Sequence, residues 1–236
     1  MMATDPLDVV ALAESYPYDL RDEAFTFRDG QVHPFDEGLL AQRRAVLAIG
    51  SNGAPQRLTA KFARDEAVPV LAAQLANHAV VYAATVTSYG SVPATFVPVT
   101  GAVALVAVTL LTDAQFERMN ESESLGANYE LVDVSDAVTT EPLWSGGPVW
   151  AYRSLFHPLR VNGQPLRMAE VPTVGTRFGA AYQSGVLNLL HRRFGRPGED
   201  YSAFVTDLVA SPERRLALRG ALQAGVETRQ RCACGA

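Results

Sequence analysis

Two sets of residues in this chain have types and spacing suited to chemistry. The first is Gly50-Ser51-Asn52, directly after the apolar run Ala45-Val46-Leu47-Ala48-Ile49. Glycine permits a sharp turn, and Ser and Asn favour turns and can cap the next element. A buried strand ending in such a loop can present amide N–H groups to an anion or a developing oxyanion. The second is Glu123. On a helix it shares one face with Phe116 and Met119, at spacings of three and four, while Glu117 and Glu121 point elsewhere. A carboxylate carried inward among apolar neighbours is costly unless paired, and its pKa tends upward. A raised pKa suits a group that must act as general base and then as acid near neutral pH. The plainer readings are an ordinary strand-to-loop turn, and an acid that hydrogen-bonds a neighbouring strand or an arginine.

The elements that must position these residues can be read from pattern. The run before Gly50 reads as a short buried strand. Residues 55–64 read as a short helix with Lys61 and Arg64 at its basic end. Residues 79–87, AVVYAATVT, read as a strand, and 94–99 and 102–111 as two more, joined at Thr100-Gly101. Thr112 is a good N-cap, and Gln115 completes a capping box for the helix that carries Glu123. After Gly126, NYELVDV alternates as an edge-like strand and brings in Tyr129.

Composition narrows the class. The chain has 236 residues, 48% hydrophobic and 19% charged, which supports a sizeable core and argues against general disorder. A net charge of -5 gives no global reason to bind nucleic acid. The longest apolar candidate, 103–111, is too short to span a membrane. The N-terminus lacks the basic and apolar regions of a signal peptide. Cys232 and Cys234 cannot staple the core from the tail, which fits a reducing cytoplasm. The 4 histidines are scattered without partners at ligand spacing, so no metal site is expected. No phosphate loop or nucleophile elbow is present.

The chain divides into an arm at 1–43, a core at 44–170 and a helical extension at 171–236. Tyr16, Tyr18, Phe25, Phe27 and Phe35 suggest that the arm packs on something. It can dock on its own domain, or serve as a homodimer contact or a lid. Asp29-Gly30 and Asn162-Gly163 read as two-residue hairpin turns. In the extension three apolar stripes recur: Tyr182, Val186, Leu189, Leu190, Phe194; then Phe204, Val205, Leu208, Val209; then Leu218, Leu222, Val226.

The order of these features resembles the gamma-glutamylcyclotransferase-like family. Its Tyr-Gly-Ser-Asn motif is matched by Ile49-Gly50-Ser51-Asn52. Its Leu-Asp-x-x-Glu-Gly segment is matched by Met119-Asn120-Glu121-Ser122-Glu123-Ser124, with Tyr129 as the later tyrosine. The resemblance implies an α+β fold: a small mixed β-barrel with flanking helices, here with the C-terminal extension added. It implies a pocket for a γ-glutamyl amine compound, bound by Ile49, Gly50, Ser51, Asn52 and Tyr129. Glu123 would move the proton as the substrate closes to 5-oxoproline and releases its amine, a transferase or lyase reaction without metal or cofactor. Ile49 replaces the motif's tyrosine and Ser124 its glycine. A non-catalytic ligand-binding or protein-interaction module on the same fold is therefore the alternative.

Overall fold

The structure is a computed structural model and describes residues 6–224. Two long strands form its backbone: β4 (Val68–Tyr82) and β5 (Ala94–Leu111), paired antiparallel from Val70↔Thr109 to Tyr82↔Ala94. Their ladder shifts register between Ala76 and His78. At that bulge Asn77 adopts φ 56, and its Oδ1 accepts a hydrogen bond from the Gly101 N–H at 2.9 Å. A bulge bends the strand without ending it. Thr100-Gly101 thus lies inside one strand, where the sequence suggests a break between two. The first half of β4 is also longer than its sequence suggests, because its pairing is set by β5.

Other strands attach to this hairpin along its length. The arm contributes β1 (Phe25–Arg28) and β2 (Gln31–Pro34), joined by Asp29 (φ 57) and Gly30 (φ 75) in a tight turn, with β1 pairing to β4. β3 (Arg44–Ala48) lies between β5 and β8 (Val149–Ser154), antiparallel to the first and parallel to the second. β6 (Tyr129–Asp133) pairs with β8, and β7 (Val138–Glu141) pairs with β4. β9 (Arg160–Val161) and β10 (Gln164–Pro165) form a separate hairpin around Asn162-Gly163. β11 (Arg167–Met168), β12 (Thr173–Val174) and β13 (Ala180–Ala181) complete the set.

The result is a mixed α+β fold with an 11-stranded sheet whose main path runs β13-β11-β4-β5-β3-β8-β6. Its end strands β13 and β6 do not pair, so the sheet is not closed into the expected small mixed β-barrel. The sheet branches along its two long strands: β4 takes β1, β7 and β11 as partners, and β5 takes β3 and β12.

The described helices are α1 (Pro6–Glu14), α2 (Pro55–Lys61), α3 (Asp113–Glu123), α4 (Gln183–Phe194), α5 (Tyr201–Ala210) and α6 (Pro212–Gln223). α3 begins with the expected capping box: Thr112 Oγ1 accepts from the Gln115 N–H, and the Gln115 side chain accepts from the Thr112 N–H. α6 begins with Ser211 as N-cap and Pro212 in the first turn. Val226, Cys232 and Cys234 lie outside the described residues.

One hydrophobic cluster runs from Ala13 and Tyr16 of the arm through β3, β4 and β5 to Leu218 and Leu222 of α6. A second gathers Phe25, Phe27, Leu58, Phe62, Phe116, Met119 and Tyr152. Tyr16, Phe25 and Phe27 are buried, and Tyr18 and Phe35 pack partly buried against the core, so the arm docks on its own chain. The C-terminal stripes are buried at Val186, Leu190, Phe204, Val205, Leu208, Leu218 and Leu222. Tyr182 departs from its stripe: it is the N-cap of α4 and is 65% exposed. Among the described residues no helix is long and apolar enough to cross a membrane.

Candidate active site

β3 delivers the chain to Gly50, and residues Ser51–Gly53 make a single 3-10 turn before α2 starts at Pro55. Gly50 has φ -132, which other residues can adopt. Its need for glycine is spatial: a Cβ there would collide with the Tyr16 hydroxyl. The Gly50 N–H makes no hydrogen bond to the protein among the described residues.

α2 buries Leu58, and one turn on from it Lys61 points the same way. α3 buries Phe116 and Met119 on the face that carries Glu123, while Glu117 and Glu121 are exposed. The two helices therefore press Lys61 against Glu123. The Lys61 side chain is 6% exposed and that of Glu123 14%, and the pair is 2.5 Å apart. Lys61 Nζ donates to Glu123 Oε1, and also to Asn52 Oδ1 at 2.9 Å. Asn52 Nδ2 donates to the same Glu123 Oε1 at 3.1 Å. Burial pushes the Lys61 ammonium below its ordinary pKa, against the pull of Glu123. The inward acid is thus paired, and by a lysine, where the sequence left a strand or an arginine as the alternative. Its Oε2 takes no hydrogen bond from the described residues.

Glu123 and the Gly50–Asn52 loop line one cavity of about 380 Å³, together with Ile49, Tyr129 and Ser124. Every residue named from the sequence for this site therefore lines the same cavity. Ser124 caps α3 at φ 53, in the left-handed region that favours glycine. A residue with a Cβ holds this conformation at a cost of roughly 1–2 kcal/mol. Burial, then the Glu123 charge, holds the Tyr129 phenol protonated well above its ordinary range.

Several lining residues escaped the sequence reading. Tyr16 reaches the cavity from the arm, and its Oη accepts from the Ala94 N–H at 3.0 Å. Its own proton has no acceptor among the described residues. Burial, first of all, keeps that phenol neutral. Tyr89 and Tyr152 add further phenols; burial raises Tyr89 to about 12, and Tyr152 Oη donates to Asn120 Oδ1 at 2.6 Å. Arg57, Arg215 and Arg219 complete the cationic part of the wall. The i, i+3 spacing from Leu58 is the local signal for Lys61. Tyr16 and the α6 arginines arrive from remote segments and carry no such signal. A larger cavity of about 700 Å³ is lined by Ala48, Ala72, Ala73, Ala107 and the side chains of Arg21 and Glu170, without the loop or Glu123. Among the described residues no cluster of His, Cys, Asp and Glu could hold a metal.

No protein-family model matches the chain, and no curated protein matches it. Solved structures similar to it include a gamma-glutamyl cyclotransferase, 13% identical over 75% of this chain and 99% of that one, with a TM-score of 0.39. An uncharacterized protein from Homo sapiens is 14% identical over the same shares, 75% and 99%, with a TM-score of 0.41. A protein from Arabidopsis thaliana, solved in solution, is 20% identical over 51% of this chain and 74% of that one, with a TM-score of 0.39.

Proposed function

We propose that this chain cyclises a γ-glutamyl amine compound to 5-oxoproline and the free amine, with Glu123 moving the proton. The observation that carries the reading is the asymmetry of Glu123. Lys61 and Asn52 both anchor Oε1, and Oε2 is left without a protein donor on the wall of a cavity. An anchored oxygen fixes the carboxylate, and a free one can take a proton.

The substrate's α-amine, neutral when it attacks, adds to its own γ-carbonyl carbon and gives up a proton to Glu123 Oε2. The carbonyl oxygen becomes an oxyanion. The Gly50 N–H and the Tyr16 hydroxyl, both without protein acceptors, are the donors assigned to it in this reading. The intermediate collapses, the bond to the departing amine breaks, and Glu123 returns the proton to that nitrogen. The ring amide of 5-oxoproline remains. Attack within one molecule needs no second reactant, only a folded pose held by the cavity.

A second reading has its own support. A lysine 2.5 Å from Glu123 can serve as a structural latch, which suits a binding module without turnover. A thermal-shift panel of γ-glutamyl dipeptides, glutamate and 5-oxoproline separates site from no site. A ligand at a hundred times its Kd stabilises the fold by about 2.7 kcal/mol. We expect γ-glutamyl dipeptides and 5-oxoproline to raise Tm. A panel without any shift at millimolar ligand sinks both readings of this cavity, while shifts with unconsumed dipeptide favour the binding module.

A further inference from the structure

The cavity has a charge surplus that the cyclisation itself does not use. Its wall carries Arg57 from α2 and Arg215 and Arg219 from α6, against the single acid Glu123. Glu123 is already balanced by Lys61. Among the described residues none of the three arginines is in an ion pair. Their neighbour Arg214, by contrast, pairs with Glu199 at 2.8 Å and approaches Asp207 at 3.7 Å.

The arginines are also held in place. Arg215 Nη1 donates to the Leu208 carbonyl at 2.6 Å and to the Val209 carbonyl at 2.9 Å, in the last turn of α5. Arg219 Nε donates to Thr85 Oγ1 at 2.9 Å, and its guanidinium stacks 4.5 Å from the Phe156 ring centroid. Arg57 lies 5.3 Å over the Tyr89 ring, with its buried Nε lacking any partner. Each keeps N–H donors unspent. Fixed, weakly hydrated guanidinium forks are suited to carboxylate and phosphate. Cations gathered in a cleft without counter-charge focus a field that favours anions.

We propose that Arg215 and Arg219, with Arg57, form an anion subsite that selects substrates whose amine half carries two negative charges. The proposal rests on the cyclotransferase reading for the identity of the other half. A γ-glutamyl headgroup with its α-amine neutral for attack brings one negative charge, its α-carboxylate, which can meet only one of the three guanidinium groups. The surplus must then be met by the departing amine: an amino acid with an acidic side chain, or an amine bearing a phosphomonoester. The subsite is made largely by the C-terminal helices, so the extension sets specificity while the core holds the proton-transfer group.

The test compares γ-glutamyl-glutamate and N-γ-glutamyl-O-phosphoethanolamine with γ-glutamyl-alanine and γ-glutamyl-butylamine. KM is expected to be about tenfold to a hundredfold lower for the dianionic amines than for butylamine, and to rise with salt. The better of the two dianionic compounds tells carboxylate from phosphate. Arg219→Gln should remove most of that discrimination through KM, with kcat changed less, and Arg219→Lys should restore part of it. Calorimetry with inorganic phosphate and with glutamate, on the wild type and on Arg219→Gln, reads the subsite without any turnover. If no compound is cyclised yet anion binding is present and is lost in Arg219→Gln, the subsite stands and the cyclotransferase reading falls. Equal KM values for dianionic and neutral amines overturn the subsite while leaving the cyclotransferase reading intact. Absence of both discrimination and anion binding in the folded wild type overturns the subsite as well.

Discussion

Glu123→Gln is expected to remain folded and to lose about a hundred- to ten-thousand-fold in turnover of a γ-glutamyl substrate. The amide keeps the shape of the carboxylate, and its oxygen can still accept from Lys61 and Asn52 where Oε1 does. It cannot take up a proton at the position of Oε2. The change leaves Lys61 without its counter-charge, and breaking a buried pair costs about 3–5 kcal/mol when nothing relaxes. Relaxation is available here. Asn52 Oδ1 still accepts from Lys61, and burial already lowers the Lys61 pKa. Glu121→Gln is the control, since that side chain is exposed. Tyr16→Phe should lower kcat by about a hundred- to a thousand-fold if its hydroxyl meets the oxyanion. Equal losses in Glu123→Gln and Glu121→Gln, or no loss in either, would remove Glu123 from the mechanism.

Truncation after Glu170 is expected to yield insoluble or molten protein. The deletion removes Val186, Leu187, Leu190, Phe204, Val205, Leu208, Leu218 and Leu222, all in the larger core cluster. Each such side chain contributes roughly 1.5–3 kcal/mol on burial, and the whole fold is stable by only about 5–15 kcal/mol. The cut also removes β12 and β13, which pair with β5 and β11. The loop at 84–93 would lose the bonds that Arg219 makes to Thr85 and Gln223 makes to Ala84. Near-ultraviolet circular dichroism and dye binding to exposed apolar surface check the outcome. A soluble truncate with a sharp thermal transition would show that 171–236 is a separable unit.

The features legible in the sequence were local. The capping box at Thr112 and Gln115, the turns at Asp29-Gly30 and Asn162-Gly163, and Ser211-Pro212 each depend on a few adjacent residues. The inward face of α3 was legible because Phe116 and Met119 mark it. Long-range pairing was not. β4 begins at Val68, in a stretch whose Ala, Gln and Asn residues carry weak strand preference, and β5 holds it in place. The sheet's branching rests on pairings between distant segments, which no short window reveals. The site divides the same way. Gly50, Asn52 and Glu123 belong to readable motifs, whereas Tyr16 and Arg219 meet them only through packing of the arm and of α6. The lysine partner of Glu123 was within reach, because Lys61 stands one turn from the buried Leu58.

The most direct test is to incubate a γ-glutamyl dipeptide with the purified protein in water enriched in heavy oxygen, and to weigh the products by mass spectrometry. Intramolecular attack takes no oxygen from solvent. The predicted result is unlabelled 5-oxoproline released in equal amount with the free amine, and lost in Glu123→Gln. Glutamate carrying the heavy oxygen would mean hydrolysis by water, and intact dipeptide would mean no reaction at all; either result contradicts a cyclotransferase.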